Sequence, residues 1–443
     1  MGFRIIVVGG GLVGLTTAHI LSKAGIDFVV LEQHDNVTPY LGSLLSIMPS
    51  TLRVLDQLDL LDTLEQHCDV VHRVHFFTAD TAKTIRDETA MFKLIQTDCG
   101  HALWMAHRAD IAKALYDNLP EDVKSRILLQ KRVVDIKVLA DGVEVICQDG
   151  HVERGSMVLG ADGVRSRVRK FIDCKTSATT TTTVKEEKEE KSPYIASHRV
   201  FFGDLPKLPG VDAGVNYEGL HDRVSTQLLV GSNRMWFNVY EQLDTPTPDR
   251  IRYTKEDQQA ILDKWGHLFV APGYQLCDIY KYRSKDTGLI TLEEGLVEKW
   301  YSDRIVLAGD AVRKVTSNAG WGYNSGFIDV VALVNHLRRL LKSDQSPSTE
   351  ALNAVFKQYQ ADRARSTRII YKTSADRVRA VVWPGWLQRT IALYIMPYVN
   401  LGKLDWIMQA RALHRDSPVL EWVEEKHLPS HRIKYKYYPQ LEK

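Results

Sequence analysis

Two kinds of apolar pattern divide the chain. Residues 3–8, Phe-Arg-Ile-Ile-Val-Val, form a nearly continuous apolar run, as expected of a strand buried on both faces. A glycine loop follows. The pattern then predicts a helix from about Val13 to Ala24, stopped by Gly25. Asp27 to Leu31 predicts the next strand, with Glu32 at its end, which completes one βαβ unit. Leu52, Leu55, Leu58 and Leu61 recur at helical spacing within 50–66, and Arg108 to Leu119 predicts a second amphipathic helix. Alternation over 131–149, with Asp141-Gly142 at the turn, predicts a hairpin. Val158-Leu159-Gly160 is a short buried strand. From 193 to 290 the style changes to aromatic and β-branched strands: Ser197 to Phe202, Ser225 to Gly231, Met235 to Tyr240. Arg304 to Ala308 returns to the buried parallel style, and Ser325 to Leu341 predicts a long helix.

These elements predict an α/β fold, α+β overall. A Rossmann-like dinucleotide domain is assembled from 1–174 and 291–345. A mainly-β substrate domain, 193–290, is inserted, and a helical extension, 346–443, follows. Residues 175–192, Thr-rich and then Lys/Glu-rich, have no core-forming side chains and are expected to be a mobile loop.

Composition changes this picture little. A chain of 443 residues, 44% hydrophobic and 25% charged, is ordinary for a globular protein of two domains. A formal charge of +2 gives no reason to expect nucleic acid as a partner. The five cysteines form neither a CxxC pair nor a zinc spacing, so no metal is expected and a reduced compartment fits. The first apolar run is a strand rather than a secretion signal. The expected location is intracellular, cytoplasmic or membrane-associated. Val381 to Leu401 is apolar and aromatic but interrupted by Pro384, Arg389, Pro397 and Asn400. It reads as a helix covering the main domain or as a peripheral contact with a membrane surface.

Three motifs carry chemistry. In Gly9-Gly10-Gly11-Leu12-Val13-Gly14, Gly9 makes the turn, Gly11 lets a pyrophosphate approach, and Gly14 permits close helix–strand packing. The helix N-terminus adds free amides and partial positive charge. Glu32, 18 residues after Gly14, can accept from both ribose hydroxyls and would repel a 2′-phosphate. Gly160-Ala161-Asp162-Gly163-Val164-Arg165-Ser166-Arg167-Val168-Arg169 continues from the short strand; Asp162 is a cofactor contact or simply a helix cap. Asp310, in Ala308-Gly309-Asp310-Ala311, stands at the end of a buried strand, where it binds a polyol or again caps a helix.

Together and in this order, the three motifs resemble the FAD-dependent monooxygenases of the aromatic-hydroxylase type. The resemblance spans residues 3 to about 340. It implies FAD as cofactor, NAD(P)H as transient co-substrate and O₂ as oxidant, with Arg108 and Asp310 contacting the cofactor. The segment Gly42 to Leu58, ending in the run Pro49 to Leu58, Arg199-Val200-Phe201-Phe202-Gly203, Met235-Trp236-Phe237 and the Trp-rich C-terminal extension resemble the fungal branch that oxidises prenylated meroterpenoids and indole diterpenes. That narrower resemblance implies epoxidation of a prenyl-chain alkene in a small apolar substrate, flavin contacts by Ser46 and Tyr323, and Arg199 and Tyr217 as catalytic candidates. Where the broad family carries His and then Pro after the late motif, this chain has Arg313 and Ser317. Both replacements are expected to alter the wall near the flavin's reactive carbon. The following turn, Gly320-Trp321-Gly322-Tyr323-Asn324, is retained, and its amides at Gly322 and Tyr323 suit negative charge on the flavin ring.

Two other readings compete with epoxidation. One is hydroxylation of a phenolic or polyketide substrate, which would need a positioned base. The other is a non-catalytic prenyl-binding escort on the same fold.

Overall fold

The structure, a computed structural model, describes residues 2–40, 42–174, 192–285 and 287–440. All but the last residue of the stretch expected as a mobile loop lies outside the described residues.

A six-stranded, mainly parallel sheet forms around Arg4–Val8. Asp27–Leu31 and Met157–Gly160 flank it in parallel. Ile127–Leu128 extends one side and Ile305–Leu307 the other, with Tyr301–Ser302 antiparallel at the edge. Ile5, Ile6, Val7, Phe28 and Val30 are at most 1% exposed, so neither face tolerates polar alternation. The helix Leu12–Ala24 ends at Gly25 in the left-handed conformation (φ 67°), as the sequence predicts. The helix Trp321–Ser343 packs against it. The expected hairpin forms between Val133–Val138 and Val143–Cys147, with Val152–Gly155 as a third strand.

The second sheet has eight strands, in the order Arg313–Lys314, Gly288–Leu296, Ile195–Pro206, Arg234–Thr247, Val224–Val230, Val215–His221, Arg73–Thr78 and Thr84–Glu88. It therefore recruits strands from both sides of the 193–290 stretch. Arg73–Thr78 pairs in parallel with Val215–His221, a long-range contact that no local pattern announces. The stretch also contains a helix, Lys255–Trp265, begun by a capping box between Thr254 and Asp257.

The two faces of this sheet differ. Phe201, Val215, Tyr217, Leu228, Phe237 and Val239 form one core with Ile261 of that helix. Val200, Leu220, Leu229, Trp236 and Tyr240 face the other way, toward Met105 of the small sheet Leu44–Ile47, Leu103–His107, Asp69–Val71 and toward Val378 and Val382. The helix Thr349–Val382 joins both halves, with Phe356 and Tyr359 in the first core and Val378 and Val381 in the sheet's second face. Among the described residues, no helix is long and apolar enough to cross a membrane.

Candidate functional site

The glycine loop stands at the C-terminal end of Arg4–Val8, and its glycines have distinct physical roles. Gly9 has φ +107°, and a Cβ there would lie 2.6 Å from the Ala161 carbonyl oxygen. A Cβ on Gly14 would lie 1.9 Å from the Gly9 carbonyl oxygen. At Gly11 a Cβ would meet nothing within 4 Å, and no side chain caps the helix that starts there. The loop thus packs tightly beneath and stays open above. Glu32 is buried against it: one carboxylate oxygen accepts from the Gly10 amide at 2.6 Å and the other from the His34 amide at 2.9 Å.

Asp162 Oδ2 accepts from the amides of Arg167 and Val168 at 2.7 and 3.1 Å, so the side chain caps the helix Arg167–Cys174. Its Oδ1 is buried without a partner, and burial raises the carboxyl's pKa against the bonds it accepts. Asp310 lies in the turn Gly309–Ala311, bonded to Lys314 at 2.7 Å and still 30% exposed. Arg169 reaches the Ala311 carbonyl at 3.0 Å and the Tyr194 hydroxyl at 3.2 Å, and Tyr194 donates to the Asp310 carbonyl at 3.0 Å. Arg169 and Tyr194 therefore tie the second motif to the third. Arg108 is solvent-accessible, yet enclosed enough that burial lowers its pKa, opposed by the Asp310 charge. Access combined with enclosure describes a side chain projecting into a cleft.

Asn324 builds the far end of the site. Its amide nitrogen donates to the carbonyls of Ser46 and Gly320 at 2.8 and 2.7 Å. Its oxygen accepts from the Met48 amide and the Thr51 hydroxyl, both at 2.8 Å. One side chain thereby pins the first turn of the helix Trp321–Ser343, which begins within the expected Gly320–Asn324 turn, to the strand Leu44–Ile47. Gly320, with φ 71°, lies so close that a Cβ would be 2.9 Å from Ser46 Cβ, whereas a Cβ at Gly322 would meet nothing within 4 Å. Open positions at Gly11 and Gly322, with Arg108 and Asp310 in the cleft, suit an elongated dinucleotide.

Three expectations need correction. The Tyr323 ring is buried edge-on to Phe327, its hydroxyl 3.1 Å from Thr16, so its side chain packs two helices together rather than facing the cleft. Arg313 turns into the core against Asp329, so it does not form a wall of the cleft; Ser317 is exposed and lies beside the buried Tyr240 phenol. Arg199 and Tyr217 lie on the sheet face that packs on Lys255–Trp265, away from the cofactor-side residues. Arg199 is bound to Glu241 at 2.7 Å, and Glu241 also accepts from Lys264 and Trp265. Tyr217 belongs to the Phe201–Phe237 core. The structure brings neither to the site. In a strand one residue of offset exchanges faces, and both residues have the wrong parity.

The face turned to the site holds residues that the sequence reading passed over: Asn216, Glu218, Gln227 and Asn238, all at most 9% exposed. Their even-numbered spacing in Val215–His221 and the even position of Asn238 in Arg234–Thr247 are the signal that could have found three of them.

Residues 3–192 and 274–373 match the family of FAD binding domains. The FAD-dependent monooxygenase srdH of Neurospora crassa is 32% identical, over 90% of this chain and 91% of its own. The FAD-dependent monooxygenase spyC of Aspergillus fumigatus is 31% identical, over 89% of this chain and 83% of its own. Klebsiella pneumoniae HpxO, solved with FAD and uric acid, shares the fold with a TM-score of 0.75 at 18% identity, over 94% of this chain and 97% of that one. The chain belongs to the FAD-binding-domain family, and within it to the FAD-dependent monooxygenases.

Proposed function

We propose that the enzyme inserts one oxygen atom into an apolar, prenylated secondary metabolite, by epoxidising an alkene of the prenyl chain. The observation that carries this reading is the broad sheet face of Val200, Phe202, Leu229, Trp236 and Tyr240 beside the Ser317–Gly322 turn. Such a face suits a large apolar molecule better than a small polar ring. FAD, when bound, supplies the redox chemistry, taking electrons from NAD(P)H and activating O₂. Gly9, Gly11 and Gly14 would hold its pyrophosphate, Glu32 the adenosine ribose, Asp162 and Asp310 the polyol side, and Arg108, Ser46, Gly322 and the Tyr323 backbone the ring side. Asn324 keeps the turn fixed, and the apolar face excludes water from the reacting carbon. Epoxidising an isolated alkene requires no deprotonation of the substrate. The Glu218 carboxylate on the same face favours a second reading, hydroxylation of a phenol. Turnover under ¹⁸O₂ with a farnesylated phenol tests both. An epoxide bearing one label supports the first reading and a labelled ring hydroxyl the second. Label found in neither product counts against both.

We further propose that Trp386 (78% exposed), Leu387, Tyr394 and Tyr398 (86% exposed) rest on a membrane surface, where aromatic side chains prefer to lie. Flotation with phosphatidylcholine vesicles should carry the chain upward, and Trp386→Ser with Tyr398→Ser should abolish this. A chain that stays in the bottom fraction refutes the contact.

A further inference from the structure

Cross-strand register aligns Phe76, Glu218, Gln227, Asn238 and Phe202 side by side on five neighbouring strands. The middle three are polar and the flanks aromatic. The row on one side runs Asn216, Leu229, Trp236 and Asp204, and the row on the other Leu220, Ser225, Tyr240 and Val200, so the polar row is bordered by apolar side chains with buried polar ones set among them.

A buried carboxylate is costly unless it is paired and hydrogen-bonded. Glu218, fully buried, meets this in part: Oε2 accepts from Arg377 at 2.9 Å and from the Asn216 amide at 3.2 Å. Its Oε1 has no partner, nor does the neighbouring Asn216 Oδ1, nor Trp236 Nε1 on the same face. The other half of the row is satisfied, with Asn238 and Tyr240 both donating to Gln227 Oε1 at 2.9 and 3.3 Å. Buried polar atoms are rarely left single. Two adjacent acceptors and a donor on one face match a group that both donates and accepts, which a hydroxyl does and a hydrocarbon does not.

We propose that Glu218, oriented by Arg377 and Asn216, binds a hydroxyl of the substrate, so that the substrate is a prenylated aromatic or enolic alcohol. This rests on the proposed function and deepens it. The anchor holds the hydroxyl-bearing end, and the apolar face leads the remainder past Tyr240 to the turn at Ser317.

The test titrates the flavin-loaded full chain with a farnesylated phenol and with its methyl ether, read as the change in flavin absorbance. The phenol should bind about 10- to 100-fold more tightly, the size of one hydrogen bond to a charged acceptor. In Glu218→Gln the amide turns its oxygen to Arg377 and offers an N–H, which the ether accepts as well as the phenol does. The preference should then fall below about threefold. Asn216→Leu, which leaves the ion pair intact, should reduce it at least about threefold and serves where the first variant does not fold. Equal binding of phenol and ether by the unaltered chain overturns the anchor alone, as does a preference that survives both substitutions. Binding of neither compound by flavin-loaded protein overturns the anchor and the proposed function together.

Discussion

Arg313 donates to Asp329 across 2.5 Å, with both side chains at most 3% exposed. Asp329 also accepts from Arg363 Nε at 2.9 Å and from the Gly309 amide at 3.1 Å. One carboxylate thus joins the Asp310 turn to the helices Trp321–Ser343 and Thr349–Val382. Asp329→Asn would leave two buried guanidinium groups without their anion. Breaking a buried ion pair by removing one partner costs about 3–5 kcal/mol. Urea unfolding of the variant should show a loss of that size, together with weaker flavin retention. A loss under about 1 kcal/mol would contradict the network's role.

The loop glycines should separate folding from binding. Gly14→Ala places a methyl group on the Gly9 carbonyl and forces backbone movement, so the melting temperature should fall sharply. Gly11→Ala meets open space at an ordinary backbone conformation (φ −70°). The flavin-free protein should keep its stability to within about 0.5 kcal/mol, while FAD affinity drops at least about tenfold because the methyl group occupies the pyrophosphate's approach. Melting curves paired with FAD titration check both. Equal flavin affinity in Gly11→Ala and the unaltered chain would remove the loop from the binding site.

Asn324 is predicted to control coupling between NAD(P)H oxidation and oxygen insertion. Replacing it with Ala deletes four hydrogen bonds and loosens the turn from Ser46, at about 2–4 kcal/mol. A slack turn admits water beside the flavin. The fraction of NAD(P)H electrons recovered as hydrogen peroxide should rise. A destabilised variant with unchanged peroxide yield would limit Asn324 to a structural role.

Much of this was legible in the sequence where the physics is local. The Arg4–Val8 strand, the glycine loop and the Gly25 stop depend on neighbours in the chain, and the sequence pattern located all three. The large sheet depends on Arg73–Thr78 meeting Val215–His221, about 140 residues away. Its short run offers no period long enough to announce that pairing. Arg199 and Tyr217 went astray for a related reason. Their residue types suit catalysis, but the pleat decides which face they occupy, and parity is fixed by register with strands far along the chain. Asn324 was within a recognised motif, yet its four partners include Ser46, Met48 and Thr51, some 275 residues earlier, so its anchoring role depends on the assembled fold.

Acid should destabilise the fold through histidines that burial keeps neutral. Burial lowers the pKa of His101 and His198 to about 4 and that of His414 to about 3, from an ordinary 6.5. His414 lies between Trp321 and Trp406, each ring 5.3 Å away, with Nδ1 unpartnered. Between pH 6.5 and 4 the unfolded chain binds protons at these positions that the folded chain refuses, so stability falls as pH falls through that window. Each such histidine contributes a slope of up to about 1.4 kcal/mol per pH unit. His414→Phe keeps an aromatic ring between the two tryptophans and removes one titrating group. Unfolding free energies of the variant and the unaltered chain, measured from pH 7.5 to 5, should converge or cross as pH falls, with the unaltered chain losing more. A difference that stays constant across this range would mean that His414 takes no proton on unfolding, contrary to its buried, neutral place against Trp321 of the flavin-side turn.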